Sequence, residues 1–224
     1  RLVRDWSSDV CSSDLADEIN RAPPKTQAAL LEAMQEKQIT IEGTTHKLSR
    51  PFIVLATQNP IEYEGTYPLP EAQMDRFLIK MSVGYPDEDV EVGILQARAD
   101  RKKDSFTVKA LATPEKVVEM HKSIEEVYVK KEIMKYMVEL VQLTRRDTRV
   151  AVGSSPRGSL GLFKLSRALA VLSGRDYVVP DDVKKAAIPV LGHRVILTPD
   201  ARTRGVNVDD TTPELLLPVP VPAV

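Results

Sequence analysis

The chain has 224 residues, 42% hydrophobic and 28% charged, with a formal net charge of −1. That length allows one large domain or two small ones, and the balanced charge excludes recruitment of nucleic acid or an anionic membrane by bulk charge. No run approaches the ~18 apolar residues of a membrane span, and no signal-peptide core is visible. The single cysteine, Cys11, permits no internal disulfide and fits a reducing, cytoplasmic setting. His46, His121 and His193 are scattered without metal-ligand spacing.

Residues 1–14 mix serine, charge and one tryptophan without a period, and read as a disordered or foreign segment. Pro23-Pro24 then opens a helix running to about Lys37, with Ala29, Leu30 and Met34 on one face. Gln38 to Leu48 alternates around a glycine turn and predicts a hairpin. Phe52-Ile53-Val54-Leu55-Ala56-Thr57 reads as a parallel strand buried on both faces. Pro70 to Phe77 reads as a short helix, Leu78 to Val83 as another strand, and Asp87 to Lys102 as a helix. Strands separated by helices indicate an α/β sheet over residues 15–104.

Residues 112–199 read as all helix. Thr113-Pro114 caps a first helix, and Ile133, Met137, Leu140, Val141 and Thr144 share the face of a second. Pro156 opens a third with Leu162, Leu165, Leu169 and Leu172 in line, and Pro180 opens a fourth reaching Leu191. Four amphipathic helices predict a small helical domain. Residues 200–224, rich in proline and valine, read as a flexible tail.

Four places carry candidate chemistry. Asp17-Glu18 sits where a strand would end; such a pair can hold Mg²⁺ through water and polarise an attacking water, although an isolated Asp-Glu pair is more commonly an acidic turn. Asn59, just past the Phe52 strand, would point into the same crevice, or simply begin a turn with Pro60. Arg76 could reach a neighbouring subunit's phosphate, or pair with Asp75. Arg157 lies in the first turn of a helix, where the dipole disfavours a cation. Gly153 to Gly158 has the glycine spacing of a phosphate loop but continues Ser-Leu rather than Lys-Ser/Thr, with no strand before it. It is not a phosphate-binding loop, and no other glycine spacing supplies one.

The order and flanks of these signals are more specific than any one alone. Leu15-Ala16-Asp17-Glu18-Ile19-Asn20-Arg21-Ala22-Pro23-Pro24-Lys25-Thr26-Gln27, Ala56-Thr57-Gln58-Asn59-Pro60 and Glu64 to Phe77 resemble the MoxR family of AAA+ ATPases, and the resemblance extends to about Leu197. It implies an incomplete parallel-sheet P-loop NTPase core followed by an all-α lid. By resemblance, Asp17 matches the Walker B acid associated with Mg²⁺ and Glu18 the catalytic base. Asn59 matches sensor 1, Arg76 the arginine finger offered to the next subunit, and Arg157 the lid's sensor 2. The cofactors implied are ATP and Mg²⁺. The assembly implied is a homo-oligomeric ring, a hexamer, and the role is chaperone-like remodelling of partner complexes, with von Willebrand factor A domain proteins among the partners.

The departures also set expectations. The family carries its P-loop upstream of Walker B, and these residues contain none, so the chain is expected to be truncated and inactive alone. The strand before Asp17 is reduced to Leu15-Ala16, leaving apolar faces of the Pro24 helix and the Phe52 strand exposed. An alternative is a non-catalytic interaction module built on the helical domain and the hairpin. A DNA-acting AAA+ relative has less support, because no basic stripe is present.

Overall fold

The computed structural model describes residues 13–41, 43–59, 66–105, 109–208, 214 and 219–222. Of residues 1–14, read above as foreign or disordered, residues 1–12 lie outside the described residues, while Ser13 and Asp14 pair with Ile53 and Val54. The described chain divides into two units, one comprising Arg1–Lys80 with Pro114–Val224 and the other Met81–Thr113.

In the larger unit, β1 (Ser13–Ala16) pairs in parallel with β4 (Ile53–Ala56), with Leu15 opposite Leu55 and Ala16 opposite Ala56. The strand therefore begins two residues earlier than the Leu15-Ala16 remnant expected. α1 (Pro24–Glu36) starts with proline at its first position, where a missing N–H costs nothing, and stops at Lys37 in the left-handed conformation. Its buried residues are Gln27, Leu31 and Ala33, with Leu30 and Met34 half-buried and Ala29 exposed, so the inward face is rotated from the predicted one. β2 (Gln38–Ile41) and β3 (Thr44–Lys47) form the predicted antiparallel hairpin, turning at Gly43, whose φ of 81° suits glycine.

Two expectations need correction here. β4 is not buried on both faces: Ile53 and Leu55 are 40% and 58% exposed, because its one strand neighbour is β1 and no described residue covers them. Residues 78–83 form no strand; Lys80 instead donates its N–H to the Pro189 carbonyl at 2.9 Å. The short helix before them, α2, covers only Glu71–Met74.

In the smaller unit, α3 (Glu88–Arg101) carries Glu88, Asp89 and Glu91 in its first turn and Arg98 and Arg101 in its last, the charge order that complements a helix dipole. None of its residues is buried.

The helical part of the larger unit holds the main core. α4 (Pro114–Glu125), α5 (Lys131–Thr144), α6 (Pro156–Leu172) and α7 (Pro180–Leu191) follow the predicted starts. Leu140, Leu162, Ala186, Val190 and Leu191 are fully buried and join Ile133, Met137, Val141 and Val183 in one cluster. Leu162 of the predicted α6 face is buried and Leu165 and Leu169 pack partly, but Leu172 is 83% exposed in the last turn. α6 and α7 approach closely at Gly161, where a Cβ would stand 2.8 Å from Val190 Cγ1. A Cβ on Gly158 would stand 2.1 Å from Ser154 Oγ. Gly153 and Gly158, the pair with phosphate-loop spacing, thus allow close packing against the end of α5 and against Ser154 and Leu191.

A small antiparallel pair, β5 (Val150–Val152) with β6 (Ile196–Leu197), has no counterpart among the predicted elements. Past Asp200, where a flexible tail is expected, α8 (Pro199–Thr203) is capped by the Thr198 hydroxyl, and Ala201, Val206 and Val208 pack with Val195 and Leu197. Most of residues 209–224 lie outside the described residues. Among the described residues no helix is long and apolar enough to cross a membrane.

Candidate active site

Parallel pairing of β1 and β4 brings two of the sequence motifs side by side. The ladder continues one step past both strands, Thr57 donating to the Ala16 carbonyl and Ile19 to the Thr57 carbonyl, each at 3.0 Å. At that point Glu18 turns into the left-handed region, with φ 48° and ψ 55°. A non-glycine residue there is uncommon and costs on the order of 1 kcal/mol. Thr57 offsets the strain: its hydroxyl accepts the Glu18 N–H at 2.8 Å and donates to Asp17 Oδ1 at 2.5 Å. The chain leaves the sheet edge with both acids at the strand tip.

Asp17 is exposed, with one carboxylate oxygen engaged by Thr57. Glu18 pairs with Arg21 at 2.9 Å, and both side chains are partly exposed. Exposed pairs are worth about 0–1 kcal/mol, so Glu18 is held without being locked. Asn59 stands half-buried at the neighbouring tip, and its carbonyl accepts from Asn20 Nδ2 at 3.4 Å. Behind the acids lies Gln27, 2% exposed, whose Nε2 donates to the carbonyls of Ile19 (3.1 Å) and Tyr67 (2.9 Å). Buried polar groups are costly unless satisfied, so this amide fixes the turn after Glu18 to α1.

Among the described residues no group of three or more His, Cys, Asp or Glu could cage a metal. Mg²⁺ usually keeps its waters and takes one or two carboxylates together with substrate phosphates. A lone exposed Asp17, braced from behind, fits that mode.

Of the two candidate arginines, Arg157 belongs to a second cluster, centred on Asp75. Arg157 does not stand alone at the start of α6: its Nη1 lies 3.3 Å from Asp75 Oδ2. Ser155, the helix cap that accepts the Arg157 N–H at 3.1 Å, donates to the same oxygen at 2.9 Å. Asp75 Oδ1 takes Arg194 Nε at 3.0 Å. Asp75 is therefore the partner of Arg157 and Arg194. Arg76 is half-buried, and its Nε is buried without a hydrogen-bond partner among the described residues.

Next to Arg194, His193 Nε2 meets the Phe77 carbonyl at 3.1 Å, and since a carbonyl only accepts, Nε2 carries the proton. Burial, reinforced by the Arg194 charge, pushes its pKa down to about 4, against the Phe77 hydrogen bond. Burial also pulls the Arg194 pKa down, with Asp75 opposing.

Thr57, Gln27, Ser155 and Arg194 are the site residues that sequence reasoning missed. Thr57 and Gln27 lay inside the family-like motifs, and Ser155 sat at a recognisable cap position before Pro156. Arg194 gave no local signal.

Family comparison accords with this geometry. Residues 10–79 match the model of the ATPase family associated with various cellular activities (AAA), and residues 142–215 match the AAA lid domain. YeaC, an uncharacterised protein of Bacillus subtilis, is 45% identical over 208 residues, which are 93% of this chain and 65% of YeaC. The chaperone MoxR1 of Mycobacterium tuberculosis is 42% identical over 212 residues, 91% of this chain and 54% of MoxR1. The chain thus spans less than two thirds of the length of these two relatives. A solved structure of a proposed ATPase from Cytophaga hutchinsonii superposes with a TM-score of 0.87 at 38% identity, covering 95% of this chain and 67% of that one. With both family models matched in order and the strand-tip acids in place, the chain belongs to the MoxR family of AAA+ ATPases.

Proposed function

We propose that these residues form the Walker B, sensor and lid part of an ATP hydrolase that couples turnover to chaperone-like remodelling of partner proteins. The observation that carries the reading is the Thr57 hydroxyl, which ties Asp17 and Glu18 to the strand that delivers Asn59. Bound Mg²⁺–ATP supplies the γ-phosphoryl electrophile and neutralises its developing charge. Asp17 would hold the metal, Glu18 would accept the proton of the attacking water, and Asn59 would orient that water. Arg76 reaches the nucleotide of the next subunit in a ring, a hexamer by family resemblance, while Arg157 answers from the lid. Proteins with von Willebrand factor A domains are the partner class that resemblance supports.

The 224 residues contain no Gly-x-x-x-x-Gly-Lys-Ser/Thr, and by themselves they are expected not to turn over ATP. At the length its gene encodes, the protein is expected to hydrolyse ATP with Mg²⁺. Glu18→Gln should lower kcat by about 100-fold or more while nucleotide still binds. Turnover that survives Glu18→Gln would remove Glu18 as the base. A second reading, a non-catalytic interaction module, is favoured by the packing role of the only loop with phosphate-loop glycine spacing. Magnesium-dependent turnover by the encoded protein excludes it.

A further inference from the structure

Arg194 follows α7 directly, and its side chain is 3% exposed. A guanidinium presents five N–H donors in a rigid planar fork, and Arg194 uses all five. Nε donates to Asp75 Oδ1 at 3.0 Å, and Nη2 donates to the carbonyls of Asp75, at 3.2 Å, and of Phe77. Nη1 donates to the carbonyl of Leu78 at 3.1 Å and to that of Val190 in the last turn of α7. Four of the five bonds land on Asp75, Phe77 and Leu78, the residues flanking Arg76. His193 adds a second bond to the Phe77 carbonyl, and Lys80 closes the segment onto Pro189. Arg76 itself, with an unpartnered Nε, is not fixed through that atom. What fixes it is the backbone on either side.

We infer that Arg194 is a positioning residue for Arg76: by gripping the Asp75–Leu78 backbone from the lid, it sets the direction in which Arg76 leaves that segment. The inference rests on the reading of Arg76 as a group offered to a neighbouring subunit's nucleotide. Lysine cannot replace Arg194, because an ammonium is a point charge with three donors and cannot span four acceptors laid out for a fork.

The test is a double-mutant cycle in the protein at its encoded length, comparing Arg194→Lys, Arg76→Ala and the double variant across ATP concentrations. Arg194→Lys should lower kcat about tenfold with KM changed less than about threefold, and the double should be no slower than Arg76→Ala alone. In the nucleotide-free 224-residue chain, amide exchange over residues 75–80 should speed up about tenfold in Arg194→Lys, with α5 unchanged. Losses that multiply in the double, a raised KM with kcat kept, or unchanged exchange would overturn the role of Arg194 and leave the Arg76 reading standing. An unchanged kcat in Arg76→Ala would overturn that reading and the inference with it. Should Arg194→Lys not fold by circular dichroism, Arg194→Gln replaces it in the same cycle, removing the fork while Asp75 keeps Ser155 and Arg157, with the same outcomes deciding.

Discussion

Replacing Asp182 with alanine tests whether the helical lid is as firmly braced as its contacts require. Asp182 sits in the first turn of α7, 2% exposed, and takes both prongs of Arg175 at 2.8 and 2.7 Å. It also accepts the Val179 N–H at 3.0 Å, closing the start of the helix. Removing one partner of a buried ion pair costs about 3–5 kcal/mol, and a lost helix-start bond adds about 1 kcal/mol. Arg175 is 24% exposed and keeps the Tyr177 carbonyl at 2.9 Å. It can therefore rehydrate once stranded, which brings the expected loss to about 3 kcal/mol. In a chain of this size that lowers Tm by about 6–12 °C, read by the helical circular-dichroism signal during thermal unfolding. Burial pushes the Asp182 carboxyl up, but the Arg175 hydrogen bonds, the Val179 N–H and the charges of Arg175 and Lys185 outweigh it, leaving its pKa below 3.8. A carboxylate with a depressed folded-state pKa stabilises fully above its unfolded pKa and stops doing so as pH falls through the folded one. The gap between Asp182→Ala and the parent chain should stay constant above about pH 5 and narrow below about pH 4. A Tm within about 2 °C of the parent's, or a gap undiminished at about pH 2.5, refutes the reasoning.

His193 adds a loss of stability in the same direction, at higher pH. Its folded pKa of about 4 lies below the ordinary 6.5, so the unfolded chain binds the proton first and stability should decline as pH falls from 6.5 towards 4. Urea midpoints at several pH values should show that slope in the parent chain and lose it in His193→Gln. Thr57→Val deletes the hydroxyl shared by Asp17 and the Glu18 N–H, and should lower kcat of the encoded protein about tenfold or more, whereas Thr57→Ser should restore it. Equal turnover in Thr57→Val and the parent would show that the strand-tip acids need no brace.

What the sequence made legible was what short-range physics controls. Proline at positions 24, 114, 156 and 180 marked four helix starts because the first helical residue tolerates a missing N–H. The Gly43 turn marked the hairpin, and the period along α5 marked Ile133, Met137, Leu140, Val141 and Thr144, all of which are buried. The same local rules failed where neighbours decide. Residues 78–83 have strand-like composition but pair with no strand, and Lys80 bonds a helix end instead. Leu172 keeps the α6 period but sits in the last turn, beyond the reach of the core. At the candidate site, Asp17, Glu18 and Asn59 could be nominated because each sits in a contiguous motif. Gln27 joins Tyr67 across 40 residues, and Arg194 joins Asp75 across 119, separations at which no local pattern records the contact.

Those long-range contacts give the Asp75 carboxylate two unequal holds on the lid. Arg194 is buried, with every donor engaged, and letting go of it would strand a charge at a cost of several kcal/mol. Arg157, 48% exposed, grips the other oxygen at a longer 3.3 Å, a pair of the kind worth about 1 kcal/mol or less. An anionic ligand near the start of α6 therefore competes easily for Arg157 and poorly for Arg194. Asp75 would lose its exposed partner while Ser155 and Arg194 keep it in place. The Arg76 segment would thus stay fastened to the lid even as Arg157 changes partners. A lid displacement on nucleotide binding is then expected to carry Arg76 with it rather than leave it behind.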